Sequence, residues 1–156
     1  MAISKRLKQF LEEEGVEFEP MHHSAAFTAS EIAGAQHVPG KNVIKSVIVK
    51  SGDDFIMCVL PAIHLIDFDK LSALTGDSFL VLASEEEIGK LFPEYEIGAE
   101  PPFGDLYGLP VYIDSMIKDN EFICFNAGSH TDLIKIKTHD YLNLVKGKFG
   151  NFGRHV

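Results

Sequence analysis

Val43-Ile-Lys-Ser-Val-Ile-Val-Lys50, then Ser51-Gly-Asp53, then Asp54-Phe-Ile-Met-Cys-Val-Leu60 is the stretch whose reading decides the fold. Both runs are apolar and rich in β-branched residues, and the Ser-Gly-Asp segment between them reads as the bend of a hairpin. On either side of this hairpin, strands and helices interleave. Leu7, Phe10 and Leu11 make the apolar face of a first helix that should stop at Gly15, and Val16 to Met21 reads as a short strand. Thr28-Ala-Ser-Glu31 has capping-box spacing and predicts a helix through Ile32 and Ala33, ending before Pro39-Gly40. Asp67 can cap a helix over Phe68 to Leu74, Phe79 to Ala83 reads as a strand, and Ser84-Glu-Glu-Glu87 is a second capping box. Strands follow near Leu109 to Ile113, Phe122 to Ala127 and Leu133 to Lys137, then a helix near His139 to Val145. This order predicts an α+β domain with a mixed, strongly curved or barrel-like sheet flanked by helices, and not a doubly wound parallel one.

The length of 156 residues suits a single domain spanning 1–156, with no repeat, low-complexity tract or dividing linker. Hydrophobic residues at 46% with 24% charged residues are globular values, and no apolar run has the length of a membrane span or a signal sequence. The two cysteines, Cys58 and Cys124, lie inside apolar strand-like runs without Cys-x-x-Cys spacing, and are expected to be reduced core residues of a cytoplasmic protein. A net charge of −9 argues against a general nucleic-acid or DNA binder. The charge is unevenly spread, however. Glu85 to Glu100 holds six glutamates against Lys90, whereas Lys41, Lys45 and Lys50, and the Lys135 to Arg154 region, leave room for local positive surface. A short phosphate-bearing ligand such as an RNA end could be held there.

Three places stand out as candidates for chemistry. Alternation in the first hairpin strand puts Lys45 on the face of Val43, Val47 and Val49, so an ammonium occupies a position its neighbours mark as apolar. It is either an edge lysine that snorkels past the core or a cation at a pocket wall, able to meet a phosphate or polarise a carbonyl. Gly98-Ala-Glu-Pro-Pro-Phe-Gly104 specifies a backbone shape in place of a helix or strand. Its glycines admit positive φ and close approach, and Pro101 and Pro102 hold φ and lack donors, so the loop can aim main-chain groups at a ligand or simply turn at the surface. Asn126-Ala-Gly-Ser-His130 follows a strand with small residues that open space, Gly128 among them, while Ser129 and His130 offer a hydroxyl and a titratable ring. His22 and His23 lie in a loop context of their own.

These places, in this order, resemble the YbaK/ProX (EbsC) family of aminoacyl-tRNA deacylases, related to the editing domain inserted in bacterial prolyl-tRNA synthetases. The resemblance runs over nearly the whole chain: His23-x-x-Ala-x-Thr-Ala29, the Lys45 strand, Leu60-Pro-Ala62, the Gly98-x-x-x-Pro102 loop and Asn126-Ala-Gly128. It implies a YbaK-like fold, no cofactor or metal, and hydrolysis of the ester of mischarged tRNA. The partners it implies are the 3′ aminoacyl end of that tRNA and a prolyl-tRNA synthetase. By the same resemblance Lys45 holds the tRNA 3′ end and the ester region, and Gly98 and Pro102 line the aminoacyl site. His130 falls where some alanyl-tRNA-deacylating relatives carry a functional histidine, although the flanking Ala-Gly-Ser departs from their pattern. Phe27, His23, Ser46, Phe103, Gly128 and Ser129 are the expected substrate-binding residues around these.

An aminoacyl ester is already activated, so a positioned water and a stabilised oxyanion suffice to hydrolyse it. The chain correspondingly lacks a Gly-x-Ser-x-Gly elbow and His-Glu-x-x-His spacing. The resemblance points to tRNA-Pro carrying a small amino acid such as Ala or Cys. The competing class is a non-catalytic module of the same fold that binds aminoacyl-tRNA or a synthetase.

Overall fold

In chain order, the computed structural model, which describes residues 4–22 and 40–155, contains α1 (Lys5–Glu13), β1 (Phe18–His22), β2 (Ile44–Ser51), β3 (Asp54–Pro61) and β4 (His64–Ile66). These are followed by α2 (Phe68–Thr75), β5 (Leu80–Leu82), α3 (Glu85–Leu91), β6 (Val111–Asp114) and β7 (Phe122–Asn126). The chain ends with β8 (Asp132–Lys137), α4 (Thr138–Leu144), β9 (Gly147–Gly150) and β10 (Gly153–His155). The helix expected from Thr28 to Ala33 lies outside the described residues, as do His23 and Phe27.

The hairpin is the centre of the largest sheet. β2 and β3 pair antiparallel from Ile44↔Pro61 to Ser51↔Asp54, and the sheet order is β5-β2-β3-β6-β9, with β3–β6 and β6–β9 parallel. β1, β8 and β7 form an antiparallel sheet in the order β1-β8-β7, and β10 pairs with β4. The α+β class with a mixed sheet is as expected, but the described strands do not close into a barrel. The reason lies along β2. Its far end, Val49 to Ser51, pairs with β5, whereas at its near end the parallel bridge Val43↔Cys124 stands isolated and no ladder to β7 propagates from it.

Period-two alternation divides the interior. Ile44 and Ile48 face the larger cluster, which includes Met57, Val59, Phe103, Phe125, Ala127 and Tyr141, while Val49 joins Cys58, Leu60, Leu71, Tyr112 and Phe152. Each fully buried aliphatic or aromatic side chain here contributes roughly 1.5–3 kcal/mol of transfer free energy before entropy is set against it. Both cysteines are free and buried, as anticipated, and burial pushes the Cys58 thiol up to about 12 and that of Cys124 to about 11.

The helix starts follow their capping residues. The Asp67 carboxylate accepts from Asp69 and Lys70 N–H, and Ser84 and Glu87 complete the reciprocal capping box at α3. β4, β9 and β10 had no sequence signal, because strands of three or four residues carry too little alternation to register. Burial fixes the tail nonetheless: Phe152 is fully enclosed in the second cluster.

Candidate functional site

The Gly98 to Gly104 loop is less exposed than its composition implies. Only its Gly98 end reaches solvent, and Ala99 through Gly104 are buried. Pro102 offers its carbonyl to the Tyr141 hydroxyl at 2.7 Å, and Phe103 makes edge contacts with Phe10, Phe125 and Tyr141 at ring separations of 5.8, 5.6 and 5.3 Å. Pro102 and Phe103 therefore form a plug in the core that fixes the loop tip, and Phe103 is a core residue rather than a pocket wall. The Gly98 N–H donates to Glu100 Oε1 at 2.8 Å. Burial holds the Glu100 carboxyl above its ordinary value, against the opposing pull of the Gly98 and Glu100 N–H groups.

Hydrogen bonds weld this loop to the turn after β7. Gly128 N–H donates to Ala99 O at 3.0 Å, and Glu96 N–H donates to Gly128 O at 2.9 Å. His130 N–H donates to Glu96 Oε2 at 3.0 Å, and the His130 ring reaches Ile97 O through Nε2 at 2.6 Å. A carbonyl oxygen only accepts, so Nε2 is the donor in this contact and Nδ1 is the ring's remaining nitrogen. Gly128 sits at φ +102°, and a Cβ there would lie 2.9 Å from Tyr95 Cδ1, so both backbone and packing require glycine. Ser129 is fully buried and its hydroxyl donates to Asp132 Oδ2 at 2.6 Å, which makes it a brace for the turn. His22 Nδ1 approaches the other oxygen of Asp132 at 3.2 Å. Burial alone would raise the Asp132 carboxyl, but Ser129 and His22 outweigh it and hold it below the ordinary range.

Lys45 lies near the start of β2. The isolated parallel bridge Val43↔Cys124 lies two residues before Lys45 on one side and two before Asn126 on the other. Lys45 is half-buried and has no ion-pair or hydrogen-bond partner among the described residues, and burial lowers its ammonium from the ordinary value. Asn126 Oδ1 and Ser46 Oγ are buried polar atoms without a partner in the described structure. Strand alternation sends Ser46 to the opposite face, that of Ile44 and Ile48. On its own face Lys45 borders a cavity of about 360 Å³ with Val47, Leu65, Ile66, Phe68, Leu82 and Arg154.

The fold thus joins the Gly98 tip and His130 by hydrogen bonds through their neighbours, whereas the cavity that Lys45 borders is lined by none of Gly98, Asn126 or His130. Glu96, Glu100, Tyr95 and Asp132 were not anticipated. In sequence the first two belong to the glutamate-rich stretch from Glu85 to Glu100, and only tertiary contact shows that Glu96 holds His130 and Glu100 caps Gly98.

The sequence model of the aminoacyl-tRNA editing domain matches residues 23–144. The chain is 28% identical to the multifunctional Ser/Thr-tRNA deacylase ProXp-y of Escherichia coli strain K12, over 96% of this chain and 92% of that protein. It is 28% identical to a proline–tRNA ligase of Thermosipho africanus over 72% of this chain, which spans only 23% of that ligase. A solved structure of a candidate trans-editing enzyme for prolyl tRNA synthetase superposes with a TM-score of 0.84 at 21% identity, covering 98% of this chain and 99% of the other.

Proposed function

The chain belongs to the aminoacyl-tRNA editing domain family, of the YbaK/ProX-like kind, and from that premise we propose that it deacylates tRNA mischarged with a small amino acid. The substrate we assign is tRNA-Pro carrying Ala or Cys, met in trans beside a prolyl-tRNA synthetase. The observation that carries this reading is the weld between the Gly98 tip and His130, set just beyond the end of β7.

In this reading the Lys45 ammonium holds the phosphate or ribose region of the 3′ end. His130, locked by the Ile97 carbonyl, turns Nδ1 toward a water and takes its proton as that water attacks the ester carbonyl. The carbonyl carbon gains the water oxygen, the ribose oxygen leaves, and the proton held by His130 returns to it. Because Glu100 already engages the Gly98 N–H, the role of Gly98 is to clear space for the histidine ring rather than to donate to the oxyanion. Selectivity comes from exclusion of larger side chains, since one methylene in an apolar pocket is worth only about 1–3 kcal/mol.

That occupied N–H is also what favours the second reading, a module that binds aminoacyl-tRNA without turnover. Deacylation of a panel of tRNAs charged with Ala, Cys, Ser, Thr and Pro, by the wild type and by Lys45→Ala, separates the two. The enzyme reading expects hydrolysis of at least one small amino acid above the buffer rate and its loss in the variant. Binding of the panel with no hydrolysis above buffer contradicts it.

A further inference from the structure

Residues 152–155 deliver a second cation to the Lys45 cavity. Phe152 is fully buried, its carbonyl accepts from Asp67 N–H at 2.7 Å, and Asp114 Oδ2 accepts from Phe152 and Gly153 N–H at 3.2 and 2.7 Å. A Cβ on Gly153 would lie 2.9 Å from that same carboxylate oxygen, so glycine lets the buried Asp114 grip the backbone. The next residue is Arg154, paired across β10–β4 with Leu65. Its backbone is therefore fixed on both sides, while its side chain is exposed and lines the cavity with Lys45.

The groove is a cationic exception on an acidic protein of net charge −9. Neither Lys45 nor Arg154 has an ion-pair partner among the described residues. Asp67 and Asp69 border the adjoining depression with Arg154, whereas the lining of the Lys45 cavity holds no carboxylate. Val47, Leu65, Phe68 and Leu82 supply the apolar walls, and Leu65 and Leu82 remain 45% and 59% exposed. Two free cations above an apolar wall match a nucleotide, whose phosphate is anionic and whose base is a flat apolar surface.

We propose that Arg154 and Lys45 together clamp a phosphate of the 3′-terminal nucleotides of the tRNA, with a base against Phe68 and Leu82. Arg154 is then a positioning residue for the reaction, acting on the RNA and not on the ester. The assignment rests on the editing reading above, and the two fail separately.

The experiment compares wild type, Arg154→Ala and Arg154→Lys in two arms. In the first, binding of a short single-stranded RNA ending in CCA is measured against salt. Arg154→Ala is expected to weaken binding about tenfold, the scale of one charge-assisted hydrogen bond, and to lower the log–log salt slope by about 0.7. Arg154→Lys is expected to restore the slope. In the second arm, Arg154→Ala raises KM for mischarged tRNA with kcat held, and leaves hydrolysis of an aminoacyl ester of adenosine lacking phosphate unchanged. Unaltered RNA affinity and slope overturn the proposal, as does an equal loss on the phosphate-free ester, which marks a structural role. Inorganic phosphate or AMP competing as tightly as the RNA overturns the assignment to a tRNA end. If the wild type hydrolyses no charged tRNA, the editing reading falls while the first arm still decides the role of Arg154.

Discussion

A Cβ placed on Gly98 would lie 3.3 Å from Cε1 of His130, and the backbone there stands at φ +87°. The loop tip and the histidine ring are therefore one packed unit, in which glycine is required for both conformation and clearance. Gly98→Ala is expected to cost about 1–2 kcal/mol in stability from the left-handed backbone. By pushing the ring off Ile97 O, it should also lower kcat on the order of 10²-fold, with a smaller effect on KM. Single-turnover deacylation with urea unfolding of the same variant checks both numbers.

Glu100 gives a pH signature. Its folded carboxyl titrates above the unfolded value, which is about 4.3, because burial disfavours its charge. Between the two values the folded state binds more protons than the unfolded state, so this residue's contribution to stability falls as pH rises through that window and stays low above it. Glu100→Gln keeps an oxygen for the Gly98 N–H and removes the titration. Urea midpoints of variant and wild type are expected to diverge in the variant's favour from pH 4 upward and then run parallel; curves parallel throughout would refute the assignment.

Glu87 has the opposite sign. The Ser84 N–H and the Lys50 ammonium hold its carboxyl down at about 2, so its contribution is present above the unfolded value and is lost as pH falls through about 2. Glu87→Gln is expected to flatten that acid limb in a circular-dichroism titration, with the difference from wild type shrinking in high salt.

Cys58 and Cys124 are buried thiols with no thiolate at neutral pH. Iodoacetamide is expected to leave both unmodified in the folded protein, read by intact mass, and to leave deacylation of alanyl-tRNA at its untreated rate. Rapid loss of activity on alkylation would require a protein nucleophile that the geometry does not supply.

How far the sequence carried the reading can be judged residue by residue. Lys45 was visible because a charge interrupted a strict apolar alternation, and the capping residues Asp67 and Ser84 announced their helices locally. Gly98, Gly128 and His130 were conspicuous as residue types, but their union depends on hydrogen bonds between segments about thirty residues apart, which no local pattern encodes. Phe103 looked like a pocket wall because it adjoins the prolines, yet its side chain packs into the core. Arg154 was only one of several basic residues near the end of the chain. Its placement comes from β10, three residues held in register by the carboxylate of Asp114.

The central claim is that Lys45, the Gly98 tip and His130 act on one bound aminoacyl end. The direct test is an NMR titration with a non-hydrolysable 3′-amide analogue of alanyl-adenosine bearing a 5′-phosphate. Saturable shifts with a single dissociation constant at Lys45, Gly98, Asn126 and His130 together are the predicted result. Shifts confined to the Lys45 groove, or to the Gly98–His130 weld alone, would contradict it.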